Sequence, residues 1–173
     1  MYRKILVPLD GSKLAESVLP HLESVARGCD AEEVILVSVT ERIVGYRPIR
    51  SRPPGPLQAD SRGLRPTLPM TSMPVVVGKK QAVAQRYLGK IAKRLQKTLE
   101  NKNIKLRMEV LFGHPAEEII NFAQRDSDDL ILMSSHGRSG SGRWAYGNIA
   151  DKILRTSSVP VLMVRALGSE STK

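Results

Sequence analysis

The run Lys4-Ile5-Leu6-Val7-Pro8-Leu9-Asp10-Gly11-Ser12 decides how the rest of the chain is read. Tyr2 to Leu9 is rich in Ile, Leu and Val and reads as a β-strand buried on both faces. Asp10, Gly11 and Ser12 then change the character of the chain, and Lys13 to Arg27 carries Leu14, Val18, Leu22 and Val25 at helical spacing. The same alternation continues outward. Glu33 to Val39 is a second strand, Lys79 to Lys102 a helix and Lys105 to Leu111 a third strand. Pro115 to Arg125 is a helix with proline in its first turn, and Leu130 to Met133 is a fourth strand. Gly147 to Thr156 is a last helix, and Pro160 to Val164 a fifth strand. Strands alternating with helices predict an α/β fold, a parallel sheet covered on both faces. Crossovers of one hand restrict its topology. Ligands of such sheets bind at the carboxyl ends of the strands, where the strand order reverses.

Composition removes several classes. The 173 residues predict a single domain, 1–173, with enough chain to bury a core. Cys29 is the sole cysteine, so a disulfide scaffold is excluded. No apolar run approaches ~20 residues, the length a transmembrane helix needs. The opening Met1 to Pro8 is too short for a secretory signal, so a cytoplasmic protein is expected. Aromatic residues make up only 4%, and the net charge is +10, from 27 Lys+Arg against 17 Asp+Glu. That charge is local. Residues 42–102 hold 14 basic and two acidic residues, a net of +12, which leaves the remainder at −2. Within this stretch, Arg42 to Gly78 holds seven of the 11 prolines and no sustained period. It reads as a long, mostly irregular Pro/Arg-rich insertion, 42–78. In the helix that follows, Leu88, Ile91, Leu95 and Leu99 share one face, and Arg86, Lys90, Lys93 and Lys97 another. The basic face is either a solvated surface or a docking stripe for phosphate or an acidic partner.

Two loops at strand ends could carry chemistry. After the fourth strand, Ser134 to Arg143 places three glycines and four serine hydroxyls ahead of a helix. Glycines let backbone amides approach a ligand closely, serines add donors, and the helix offers its free N-terminal amides to an anion. Arg138 and Arg143 add positive charge. The loop reads as a phosphate cradle or as a flexible connector. It has no Gly-Lys-Ser/Thr after its glycines, and the first strand is not followed by Gly-x-Gly-x-x-Gly. After the first strand, Asp10 could accept hydrogen bonds from a ribose hydroxyl or a base amine, or cap the helix with Gly11 and Ser12. His21, His114 and Cys29 show no metal-ligand spacing, and Cys29 reads as a packed or half-buried thiol. Trp144 and Tyr146 flank the last helix, where packing or a dimer contact would employ them.

The opening run resembles the start of the universal stress protein family. So does the tail, from Ile131-Leu132-Met133-Ser134-Ser135-His136-Gly137 through Ile149-Ala150-Asp151-Lys152-Ile153-Leu154 to Ser158-Val159-Pro160-Val161-Leu162-Met163-Val164. The resemblance implies a Rossmann-like, adenine nucleotide alpha hydrolase-like three-layer sandwich whose five-stranded parallel sheet has the order 3-2-1-4-5. It also implies a homodimer paired through the last strand, Pro160 to Val164. ATP-binding members carry Gly-x-x-Gly, nine residues, then Gly-Ser/Thr, and the register here is Ser134-x-x-Gly137, nine residues, Gly147-Asn148. By that resemblance Asp10 meets the adenosine end, and Pro8, Val39 and Met133 line the adenine slot. Gly137, Gly147 and the helix amides at Asn148 and Ile149 hold phosphates, with Ser139 and Ser141 as donors in the intervening loop. Ser134 still offers its backbone amide. Asn148 can donate to a phosphate oxygen but brings no hydroxyl to Mg²⁺, which leaves the metal and the choice among ATP, ADP and AMP open. His136 could contact phosphate or act as a base, but no carboxylate or nucleophile accompanies it, so at most weak ATP hydrolysis is expected. The function implied is an adenine-nucleotide-binding stress-response regulator acting through dimerisation and partner contacts. The alternative is a nucleotide-free docking module whose basic segment 42–102 binds an acidic protein, an anionic membrane or, least well served by Tyr46 alone, nucleic acid.

Overall fold

The computed structural model describes residues 2–40, 45–46, 74–75, 77–100, 103–137 and 146–165. The main sheet has five parallel strands: β1 (Lys4–Pro8), β2 (Glu33–Thr40), β5 (Lys105–Phe112), β6 (Leu130–Ser134) and β7 (Val161–Val164). Their spatial order is β5-β2-β1-β6-β7, which is 3-2-1-4-5 counted along the chain, as the resemblance implied. Successive strand residues face opposite sides. Ile5, Val7, Val34 and Leu36 pack with Leu22 of α2 (Leu19–Gly28) and with Leu88, Leu95 and Leu99 of α3 (Val77–Glu100). Leu6, Ile35, Val37 and Ile131 pack on the other side with Ile119 and Phe122 of α4 (Pro115–Asp126) and Ile153 of α5 (Asn148–Thr156). Burial on both sides is why the central strands read as unbroken apolar runs.

One expectation needs correction. The first helix is not continuous from Lys13 to Arg27. It divides into α1 (Lys13–Glu16) and α2, with Pro20 in the first turn of the second piece. Proline has no amide to donate, and its ring would strike the carbonyl four residues back, at Glu16. Gly45–Tyr46 (β3) and Pro74–Val75 (β4) pair antiparallel, which ties together the two ends of the proline-rich stretch, and Val77 and Gly78 already belong to α3. The rest of the insertion lies outside the described residues.

Pro8 shapes the end of the sheet that matters most. Along β1 the backbone groups point alternately to the two neighbours. Leu9 donates to Val37 O of β2 at 2.8 Å, whereas Lys4 O accepts from Asp129 next to β6 at 3.0 Å. Position 8 therefore points toward β6, and proline brings no N–H there. The registered pairs between β1 and β6 are Ile5↔Leu130 and Leu6↔Ile131, whereas β1–β2 pairing runs on to Pro8↔Val37 and β6–β7 pairing to Ser134↔Val164. The two central strands part toward their carboxyl ends, at the point where the strand order reverses.

Candidate functional site

A cleft of about 710 Å³ opens where β1 and β6 separate, a size in the usual range for small-molecule sites. Its floor comes from the ends of β1, β2 and β6, and its walls from α3, the start of α4 and the start of α5.

At the turn into α1, Asp10 supports the helix start without being its cap. Ser12 is the N-cap of α1, and its hydroxyl accepts from Ala15 N at 3.1 Å. Asp10 stands outside that cap, and its Oδ1 accepts from Ser12 N at 2.9 Å across a turn that holds Gly11 at φ 86°. Its other oxygen, Oδ2, crosses the crevice to Gly137. A Cβ on residue 137 would collide with that oxygen and lie 3.1 Å from Asp10 Cγ. Glycine at 137 is therefore favoured by the carboxylate opposite it, which a side chain there would displace, and not by its own backbone angle, which lies outside the left-handed region.

The loop after β6 closes on itself. Ser135 N donates to Val164 O at 2.8 Å, and Gly147 N donates to Ser135 O at 2.9 Å, so both ends of the glycine-serine loop meet beside β6. Gly147 is the N-cap of α5 in extended conformation and has no side chain with which to cap it. The first amides of α5 and the positive end of its dipole thus face the cleft mouth, an arrangement that suits an anion. Ser134, which stands where the family motif has glycine, is buried, and its hydroxyl lies 3.4 Å from Ser17 Oγ. Ser17 in turn donates to Leu14 O, so the extra side chain is absorbed between β6 and α1. Ser135 Oγ is 3.0 Å from His136 Nδ1, a contact that holds the imidazole at the cleft wall.

Pro8, Asp10 and Val39 line the cleft, as do Met133, Ser134, His136 and Gly137. Gly147 and Ile149 join them from the start of α5. Asn148 is exposed and is not part of the lining. Ser139 and Ser141, with Arg138, Arg143 and Trp144, lie outside the described residues. Among the described residues, no group of three or more His, Cys, Asp and Glu could hold a metal ion. The sequence reading missed the wall from α3, where Lys80, Val83, Ala84 and Tyr87 reach the cleft, and Ile119 of α4. The spacing 80, 83, 84, 87 is itself helical, but the crossover shows where that face points. A helix leading into a parallel strand starts at the carboxyl end of the sheet.

Elsewhere, the basic stripe of α3 is solvent-facing at Arg86, Lys90, Lys93 and Lys97, while Arg94 pairs with Glu16 of α1 at 3.0 Å. Leu162 of the edge strand β7 is 41% exposed, and Tyr146, Ile149 and Leu154 are also exposed. Cys29 is half-buried beside a shallow apolar hollow that Tyr2, Pro160 and Leu162 share. No helix among the described residues is long and apolar enough to cross a membrane.

An open parallel sheet with helices on both faces and a ligand crevice at its switch point defines a class of α/β binding proteins. Within that class the chain belongs to the universal stress protein family, whose match spans residues 1–165. It is 30% identical over 169 residues to universal stress protein MJ0577 of Methanocaldococcus jannaschii, covering 98% of each chain. The solved structure of MJ0577 superposes with a TM-score of 0.63 at 27% identity, over 98% of this chain and 99% of that one. Two more distant structures share the fold. One is a universal stress protein in complex with cAMP (TM-score 0.62, 15% identity, 96% and 98% covered). The other is an Arabidopsis thaliana family protein with AMP bound (TM-score 0.57, 13% identity, 98% and 96% covered).

Proposed function

We propose that this stress-response protein binds an adenine nucleotide in the β1–β6 cleft and acts through nucleotide-dependent association, not through turnover. The observation that carries this reading is the approach of Asp10 to Gly137 across the crevice, next to the uncapped start of α5. One end of the cleft is an acceptor suited to sugar hydroxyls, and the other is a set of amides suited to phosphate. Val39, Ile119 and Met133 supply apolar surface for a base between them. The cAMP and AMP complexes of the two distant family structures favour the same ligand class. Asn148 is directed to solvent and carries a carboxamide, so Mg²⁺, where present, would arrive with the nucleotide's own phosphates as its principal ligands.

Thermal denaturation with ATP, ADP, AMP and cAMP, with and without Mg²⁺, tests the reading. A ligand at about 100 times its Kd adds ~2.7 kcal/mol, which for a chain of this size raises Tm by roughly 5–10 °C. Asp10→Ala is expected to abolish the shift. An unchanged Tm with every nucleotide would refute the reading.

Association is assigned to β7. Its outer edge has no strand partner among the described residues, and apolar Leu162 is exposed on it. An unpaired apolar edge is a template for another strand, and a second copy of this chain supplies one. A second reading rests on the exposed cations of α3: Arg86, Lys90, Lys93 and Lys97 form no ion pair among the described residues, which favours docking of an acidic protein partner there.

A further inference from the structure

Over the end of β2 the cleft is a slot between two helices. Helix α3 packs on one side of the sheet and α4 on the other, and both reach the cleft beside Ser38, Val39 and Thr40. The α4 side is apolar, for Ile119 and Met133 lie in one packed cluster with Val39 against it. On the α3 side stand Val83 and Ala84. Ala84 is buried, whereas Val83 is 62% exposed. Among the described side chains of α3, Val83 is the one large apolar group that is exposed, while Leu88, Ile91, Leu95 and Leu99 are all buried. It belongs neither to the core stripe nor to the basic stripe. A single exposed apolar residue is ordinary on a protein surface, but this one lines a cleft and has a second apolar surface across from it. Valine is also a weaker helix former than the Ala, Lys, Arg and Gln around it, so the helix itself gains nothing from its presence.

Two apolar surfaces across a slot suit a flat ring. A planar base would cover Val83 with one face and Val39, Ile119 and Met133 with the other, and take both surfaces out of water. The strand order supplies the direction. Counting β2-β1-β6 across the sheet, the slot lies over β2, Asp10 follows β1, and the uncapped start of α5 stands beyond β6. That order matches the base, sugar and phosphate of a nucleotide. We propose that Val83 is a ligand-binding residue of the cleft, packing against the face of the base that turns away from Val39, Ile119 and Met133. This rests on the adenine-nucleotide reading of the cleft and adds to it the wall that α3 provides.

The test uses the full chain stripped of bound nucleotide and labelled at its valine and leucine methyls, with the Val83 signals assigned by their loss in Val83→Ala. AMP is titrated into both proteins by calorimetry and into the wild type by methyl NMR, and both unliganded proteins are melted. At saturation the ring current of the base is expected to shift the Val83 methyls, with nuclear Overhauser contacts from them to adenine H2 or H8. Val83→Ala is expected to bind AMP about fivefold more weakly, for the partial loss of two buried methylene equivalents. It should melt no lower than the wild type, since alanine is the better helix former at an exposed position. Val83 methyls that do not move in an AMP-saturated wild type, or that contact ribose protons alone, would overturn the inference while leaving nucleotide binding intact. Equal AMP affinity in the two proteins would do the same. A lower melting point for the unliganded variant would overturn it as well, because that marks Val83 as a packing residue. A wild type that binds no AMP removes the underlying reading and the inference with it.

Discussion

Gly137→Ala isolates the contact on which the site is built. The backbone of residue 137 accepts an L side chain, so the effect is confined to the new methyl group against Asp10 Oδ2 and Cγ. Asp10 is short, and to clear the methyl it must swing away and release Ser12 N, which its Oδ1 holds at 2.9 Å. Loss of a hydrogen bond to a charged acceptor costs about 1.5–3 kcal/mol. Replacement of glycine by alanine returns about 0.4–1 kcal/mol by restricting the unfolded chain. The net is a destabilisation of roughly 1–2 kcal/mol, or a Tm lower by about 2–8 °C at 2–4 °C per kcal/mol. With Asp10→Ala in place, the obstruction and the bond are both gone, and Gly137→Ala should then be neutral or slightly stabilising. Denaturant unfolding of the four proteins of this cycle measures the coupling, expected at about 1.5–3 kcal/mol. Costs that add to within ~0.5 kcal/mol, as they do for independent sites, would show that the two loops do not touch and would refute the geometry.

The remaining predictions concern the far pole and the surfaces. Asp128 is 6% exposed, neither of its oxygens has a hydrogen-bond partner, and burial followed by the charge of Asp126 lifts its pKa from 3.8 to about 7 against the opposing pull of Lys4 and Arg107. The folded state therefore holds this proton more tightly than the unfolded chain. Its contribution to stability is complete below about pH 4, is lost as pH rises through about 7, and is flat above that. Asp128→Asn should accordingly unfold at higher denaturant than the wild type at pH 8, by up to a few kcal/mol at about 1.4 kcal/mol per pKa unit, with the gain shrinking toward pH 5. A pH-independent difference would contradict this. Leu162→Glu should convert a dimer to a monomer in light scattering with little change in Tm, and an unaffected dimer or a monomeric wild type would rule out the β7 interface. The triple change Lys90→Glu, Lys93→Glu and Lys97→Glu should abolish binding of a polyglutamate probe, and wild-type binding should weaken steeply with added salt. Salt-insensitive binding, or none, would dismiss the acidic partner.

Much of the fold was legible because its strands are buried on both sides. Val34 to Val37 needs no alternation to be read as strand, and Asp10 with Gly137 falls at strand ends where parallel sheets bind ligands. The division of the first helix was hidden for a physical reason. Leu14, Val18, Leu22 and Val25 keep a helical period straight through the break, and only Pro20 marks it. The clash that fixes Gly137 has no local signal, since its cause lies on another strand. The wall that α3 gives the cleft was hidden because its place depends on which end of that helix meets the crevice. Asp128 reads as an ordinary polar turn residue between α4 and β6, and only packing shows it to be buried.

The central claim is that the crevice between Asp10 and the start of α5 takes an adenine nucleotide. Calorimetric titration of ATP and AMP into the nucleotide-stripped chain, beside Asp10→Ala, tests it most directly. One nucleotide bound per chain by the wild type, and none by Asp10→Ala, is the predicted result. No heat of binding for either nucleotide, or equal binding by the variant, would contradict it.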